Sequence, residues 1–328
     1  MRILVRGAGV AGLTLAHELA RRGIAVTVFD KRRQIAGNAS WFAGGMLAPW
    51  CESESAPAKV LSLGTSAADC WEKALPGSVS RKGTLVIAPA RDTSELDRFS
   101  DRTSGHERVA ENTIAELEPD IKGRFRSGLF FRKEAHIDPR LVLESLAANL
   151  ASMGAEMLFG EESPPTGIYD FECDCTGIAA KRPGLRAVRG EMVILRTPEI
   201  SLSRPVRLLH PRIPVYVVPR ANHQFMVGAT MIESDFDGRI TARSLMELLN
   251  AAYALHPAFG EAEIMETGTG MRPAYADNLP RVERNGKNLS INGFYRHGFL
   301  LAPAMAMIAA DMILGPNNPL ELADATQN

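Results

Sequence analysis

The sequence predicts a two-domain α/β protein: a Rossmann-like nucleotide-binding domain assembled from discontinuous segments, and an α+β domain with a mostly antiparallel sheet. Three observations predict it. The opening stretch from Arg2 to Asp30 reads strand, glycine turn, helix, strand; extended, often alternating runs fill the chain from Arg186 to about Met271; and a short strand followed by an apolar helix closes it after Leu289. The expected division is residues 1–80 with 133–185 and 286–328 for the nucleotide-binding domain, and 81–132 with 186–285 for the other.

Ile3-Leu4-Val5 forms the first strand, and Gly7-Ala8-Gly9-Val10-Ala11-Gly12 follows at once, opening a helix over Val10–Arg22. Gly7 permits the tight turn, Gly9 lets backbone N–H groups approach a pyrophosphate, and Gly12 lets the helix lie close on the strand. Val10 and Ala11 carry the first N–H groups of that helix. The second strand, Ala25–Phe29, ends in Asp30, about twenty residues downstream, where a carboxylate accepts a bond from a ribose hydroxyl. These parts in this order specify a dinucleotide site far better than the glycines alone. Asp30 disfavours a 2′-phosphate, although Lys31, Arg32 and Arg33 directly after it keep NADP as a minor alternative.

Residues Gly37–Met46 make a small-residue loop too glycine-rich for a helix interior and suited to hugging a ligand; Ala39, Ser40, Gly44, Gly45 and Met46 are its candidate contacts. A helical stretch near Lys59–Lys73 and the strand Gly83–Ala88 lead into a polar segment, Arg91–Glu118, expected to cap the molecule. His136-Ile137-Asp138-Pro139 starts a helix, with Asp138 as N-cap, Pro139 in the first helical position, and Leu141, Val142, Leu146 and Leu150 at helical spacing. Strands near Glu156–Phe159 and Tyr169–Cys175 return to the sheet and leave Thr176 and Gly177 at a strand end beside the nucleotide. In the second domain the expected strands are Ala187–Leu195, Val206–His210, Val215–Pro219, Gln224–Gly228 and Ile264–Met271, with one helix, Ala242–Leu255. The return is Leu289–Asn292, then Gly293–Gly298 and the helix Leu300–Leu314; only the tail after Gly315 reads as loose.

The length allows a large core, and a net charge of −1 gives no reason to expect a nucleic-acid partner. No apolar run reaches the roughly eighteen residues that cross a bilayer, so the expected location is the cytoplasm. Cys51, Cys70, Cys173 and Cys175 include no CxxC pair and give neither a metal site nor a disulfide ladder. Cys173 and Cys175 share one face of a strand, where packing is their expected role.

Ordered motifs then span almost the whole chain: GAGVAG at Gly7–Gly12, ASWFAGGMLAP at Ala39–Pro49, HIDPR at His136–Arg140, RGE at Arg189–Glu191, YVVPR at Tyr216–Arg220, VGATM at Val227–Met231, GMRP at Gly270–Pro273 and YRHGFLLAPA at Tyr295–Ala304. On these the chain resembles the D-amino-acid-oxidase-like flavoproteins, and within them the glycine oxidases. The resemblance implies an FAD-binding Rossmann-like domain made of separated pieces and an antiparallel substrate domain. There are departures. The stretch from Met157 to Cys175 is too short for the family's usual antiparallel meander, and Arg6 stands where an apolar residue is usual. Some related oxidases hold flavin through a cysteine shortly after the arginine-proline step; here that stretch is Pro273-Ala274-Tyr275-Ala276-Asp277, so noncovalent FAD is expected.

The implied activity is oxidation of glycine, or a similarly small amine, to the imine with O2 reduced to H2O2, feeding thiazole and thiamin biosynthesis. Another D-amino acid, a sarcosine-like amine, or a dehydrogenase subunit with a partner acceptor are the alternatives. By resemblance Arg272 is the carboxylate-binding arginine, a natural choice because its fork matches a carboxylate bidentately. Tyr216 and Arg296 complete the pocket, and Met46 and Met231 form apolar walls. Arg272 and Arg296 also fall where the family meets its flavin, with His297 and the helix start at Gly298, Phe299 and Leu300, whose N–H groups and positive dipole end favour negative charge on the reduced ring. A catalytic role for His297 stays open against a capping one. The expected partners are a small amino acid and O2, with no nucleic acid and no membrane; relatives often form homotetramers.

Overall fold

The computed structural model describes residues 1–209 and 215–315; the expected strand end at His210 and the tail after Gly315 lie outside the described residues. The chain forms two compact units, one of Met1–Trp41, Pro139–Ala187 and Arg272–Asn328, the other of Phe42–Asp138 and Val188–Met271.

In the first unit the described residues hold a six-stranded sheet, ordered Arg281–Asn285, Asn288–Asn292, Phe171–Asp174, Arg2–Arg6, Ala25–Asp30, Glu156–Phe159. The inner pairs are parallel, with Val5 in register with both Val28 and Cys173. Cys173 and Cys175 are buried on the face that receives the helix Val10–Arg21; burial pushes the Cys173 thiol up to about 12, as inert packing requires. On the opposite face Thr27 lies in register with Leu4 and Glu156, and Leu4 with Glu172. Glu156, Glu172 and Asn288 are exposed there, and no strand forms between Phe159 and Phe171. A polar face accounts for Arg6, which sits in register with Asp174.

The helix Pro139–Ser152 buries Val142, Leu143, Leu146 and Leu150, whereas Leu141 is 58% exposed. The expected stripe was therefore one position too wide on one side: 142, 146 and 150 repeat every fourth residue, and 143 completes the face that 141 does not share. The strand Arg281–Asn285 escaped sequence reading because its only apolar residue is Val282; it pairs antiparallel with Asn288–Asn292 at the sheet edge, through a turn with Gly286 at φ 60°.

The second unit is built on a nine-stranded sheet among the described residues, with Ile232–Glu233, Arg186–Arg196, Gln224–Gly228, Val215–Pro219, Val206–Leu208, Thr84–Ile87, Ser127–Phe131 and Glu107–Ala110 in order, and Glu263–Ala274 pairing with Arg186–Arg196. The pairing is mostly antiparallel; Val206–Leu208 runs parallel to Thr84–Ile87. The helix Ala242–Leu255 forms as expected, capped by Thr241, and its Leu248, Ala252 and Leu255 pack with Val193, Val217 and Phe225.

Three expectations are corrected. The helical stretch near Lys59–Lys73 is two helices, Ala58–Gly64 and Ala67–Ala74. Arg91–Glu118 is no mere polar cap: helix Thr93–Arg102, strand Glu107–Ala110 and helix Glu111–Leu117 bury Leu96, Phe99, Val109 and Ile114. An unpredicted strand, Ser127–Phe131, lies between Thr84–Ile87 and Glu107–Ala110 with both faces buried, Phe130 packing with Leu85 and Ile87, Leu129 and Phe131 with Val86 and Phe99. The chain after Trp41 also groups differently from the expected boundary. Met46–Leu47 pairs with Ala135–His136, and Ala48 and Cys51 join the cluster of Val86, Leu129 and Phe131, which ties this stretch to the second unit.

No helix among the described residues is long and apolar enough to cross a membrane. Leu85 is fully buried at the centre of the second sheet, so Leu85→Ala should cost about 2–5 kcal/mol in denaturant unfolding; a loss below about 1 kcal/mol would contradict this packing.

Candidate active site

The first unit's site begins where the strand Arg2–Arg6 turns into the helix. Gly7 sits at φ 105°, and its N–H donates to Phe29 O at 2.7 Å. A Cβ on Gly7 would lie 2.5 Å from Cys175 O, and one on Gly12 would lie 1.8 Å from Gly7 O. Neither position admits a side chain, as close helix-to-strand packing demands. Ser40 Oγ accepts the Val10 N–H at 3.0 Å, and a Cβ on Gly9 would come 3.2 Å from it. Within the first turn the helix offers no acceptor of its own to the N–H groups of Ala11 and Gly12. Asp30 is buried, its two carboxylate oxygens accepting Ala8 N–H at 2.8 Å and Arg32 N–H at 2.9 Å; Lys31 is exposed and Ala39 half-buried. Asp30 thus shapes the turn, and each oxygen keeps a lone pair for a hydroxyl donor.

The other expected contacts of this unit gather at the same end of the sheet. Thr176 donates from N and Oγ1 to Asp174 Oδ1, and Gly177, at φ 62°, accepts from Asn292 Nδ2 at 2.8 Å. A Cβ on Gly177 would lie 3.8 Å from Pro273 Cγ, so Arg272 enters beside this turn. Pro273 O accepts Tyr295 N–H at 2.8 Å, and Ala274 bridges Phe294, binding the segment of Arg272 to that of Arg296. His297 is the buried N-cap of Gly298–Leu314, its carbonyl accepting Leu301 N–H and its ring edge-on to Tyr295. Phe299 and Leu300 are buried within that first turn. A Cβ on Gly298 would lie 3.3 Å from Val10 Cγ1. Two helix N-termini therefore meet, each with a positive dipole end.

In the second unit the glycine loop continues through Gly44, Gly45 and Met46. A Cβ on Gly44 would lie 2.7 Å from Tyr216 Cε2, and Gly45 O accepts Ile137 N–H at 2.9 Å. Met46, Phe42 and Tyr216 pack against Met192, Ile194, Val218 and Met226. Met231 stands outside this cluster and is 47% exposed.

The model of the FAD-dependent oxidoreductase family matches residues 2–312. The chain belongs to that family. A Rhizobium etli protein assigned as thiamine biosynthesis oxidoreductase ThiO is 62% identical, the match covering 96% of this chain and 97% of that protein. Glycine oxidase from Bacillus licheniformis is 26% identical over 97% of this chain and 94% of its own length. The crystal structure of glycine oxidase from Geobacillus kaustophilus superposes with a TM-score of 0.80 at 24% identity, covering 96% of this chain and 97% of the other.

As an FAD-dependent oxidoreductase the chain needs a cradle that admits a pyrophosphate, and the sealed turn at Gly7 and Gly12 with its open helix start is such a cradle. The residues present fit the cofactor. Sequence reading missed Glu134, an acid that follows Arg132 and Lys133 and lies just ahead of the HIDPR motif. Its carboxyl is buried and accepts Cys51 N–H at 2.7 Å, which fixes the chain just after the glycine loop. Burial pushes this carboxyl up to about 8, while burial and then Arg220 hold the neighbouring His136 down to about 4.

The signs differ. Glu134 is stabilising while neutral, fully so below its unfolded value of 4.5, and this is lost as pH rises through about 8. His136 has a lowered value, so its contribution is present above 6.5 and lost as pH falls through about 4. Between pH 6.5 and 8 Glu134 lowers stability as pH rises, so Glu134→Gln should flatten the decline in melting temperature across that window; an unchanged slope would refute its buried, neutral state.

Proposed function

We propose that this chain oxidises glycine, or a similarly small amine, to the imine, with O2 reduced to H2O2 and FAD held noncovalently. The carrying observation is the meeting of two helix N-termini at Val10 and Gly298, with the segments of Arg272 and Arg296 bound to each other beside them. That arrangement serves a bound anion and a ring that gains negative charge when reduced. When bound, FAD would accept the hydride from the substrate α-carbon and pass the electrons on to O2.

The protein's part is placement. Ser40 and the N–H groups of Ala11 and Gly12 would hold the pyrophosphate, Asp30 would take a ribose hydroxyl, and the positive dipole end at Gly298 would favour the negative charge of the reduced cofactor. Arg272, with Arg296 beside it as a further donor, is the group we assign to the substrate carboxylate. Holding the acid group leaves the amine to lose its ammonium proton, and only the neutral amine has the lone pair that assists hydride loss. His297, buried as a helix cap, positions the backbone around it. Noncovalent attachment is supported by the burial of Cys51, Cys173 and Cys175 and by the absence of cysteine from Pro273–Asp277. The thiamin pathway is supported by the name of the 62% identical relative, and the cytoplasm is the compartment in which we place the enzyme.

Two charge-assisted bonds to a bound carboxylate contribute about 3–6 kcal/mol. Arg272→Ala should therefore lower kcat/KM for peroxide formation from glycine by roughly 10²- to 10⁴-fold. An unchanged kcat/KM would remove Arg272 from the site.

A further inference from the structure

Three motifs meet at one side chain that the reaction does not use. Arg220, the last residue of YVVPR, donates from Nη1 to Ile137 O at 2.9 Å, in HIDPR, and from Nη2 to Gly44 O at 2.9 Å and Ala43 O at 3.3 Å, in the glycine loop. Asp138 Oδ1 stands 3.6 Å from the same guanidinium, whose side chain is 9% exposed. The strand explains the placement. Tyr216, Val218 and Arg220 alternate onto one face of Val215–Pro219 and its continuation. Tyr216 covers Gly44 at one end of that face, Val218 packs in the cluster with Met46, and Arg220 closes the other end. The hairpin that follows turns through Asn222 and His223 at φ 59° and 55°, with Arg220 N–H donating to Gln224 O at 2.8 Å, so the register that aims Arg220 is set locally.

Gly44 and Gly45 are buried and belong to no regular element, so the carbonyls of Ala43 and Gly44 have no ladder to bond with. A buried carbonyl without a donor is costly, and two adjacent glycines add the largest backbone entropy of any pair. One planar fork reaching three carbonyls removes both difficulties. A lysine ammonium, a point charge on a flexible stem, cannot span the three in one geometry.

We propose that Arg220 is a positioning residue, a clasp that holds the backbone of Ala43–Gly45 in the shape required to receive flavin and substrate. This rests on the reading of the chain as an FAD-dependent amine oxidase.

The test compares Arg220→Met and Arg220→Lys with Arg204→Met. Arg204 is an equally buried guanidinium of the second unit, bonded to Lys82 O, Leu117 O and Glu118, away from the glycine loop. For each protein stripped of cofactor, FAD affinity is read from quenching of flavin fluorescence, the bound flavin from its visible spectrum, and stability from the melting temperature. The expected result is a rise in the FAD Kd of about tenfold or more for Arg220→Met, a smaller rise for Arg220→Lys, and a flavin spectrum less structured than in the wild type, while Arg204→Met lowers the melting temperature and leaves Kd unchanged. Should Arg220→Met fail to fold, Arg220→Lys carries the comparison. Arg220 variants that bind FAD as Arg204→Met does overturn the clasp alone. A wild-type chain that binds no FAD overturns the oxidase reading beneath it.

Discussion

The first unit depends on one approach too close for a side chain. A methyl group on Gly12 would lie 1.8 Å from the Gly7 carbonyl oxygen, and one on Gly7 would lie 2.5 Å from Cys175 O. Strand, turn and helix can only be this near because both positions are glycine, and the nearness is what brings the helix start to the end of the sheet. The surrounding bonds follow from it. Asp30 fastens Ala8 and Arg32, Ser40 takes the Val10 N–H, and Gly298 sets the second helix start against Val10. Loosening the turn would separate the two dipole ends that an anionic cofactor requires.

The second unit solves a different problem by one repeated device. Its sheet is covered by irregular segments whose carbonyls have no ladder partner, and buried guanidinium groups reach them. Arg189 donates to Phe236 O and to Arg239 O while paired with Glu191 at 2.7 Å; Arg204 donates to Lys82 O and Leu117 O while paired with Glu118; Arg220 donates to Ala43, Gly44 and Ile137. Each charge is compensated by a carboxylate at or near bonding distance, so burial does not leave it bare. Arginine suits the task because its five donors lie in one plane. Motifs of the RGE and YVVPR type thus record how loops are tied to the sheet.

Much of the first unit was legible because its signals are local. Glycine spacing, an apolar strand, a terminal acid and a helix opening at Pro139 each act within a few residues, and each appears in the structure. The strands Val215–Pro219 and Gln224–Gly228 and the helix Ala242–Leu255 were equally plain, since alternation and helical period dominate their sequences. What stayed hidden depends on distant partners. Ser127–Phe131 reads as a short apolar run among charges and becomes a strand only because Thr84–Ile87 and Glu107–Ala110 flank it. Arg281–Asn285 carries too little apolar surface to announce itself at a sheet edge. Arg272, Arg296 and Tyr216 entered as candidates through motif resemblance alone, while Glu134 declares itself only through its bond to Cys51.

The most direct measurement is the visible spectrum of the purified, FAD-loaded chain under nitrogen before and after glycine is added. The account predicts flavin absorbance that bleaches with glycine and returns when air is admitted, with hydrogen peroxide formed. Bound flavin that stays oxidised in excess glycine would contradict it.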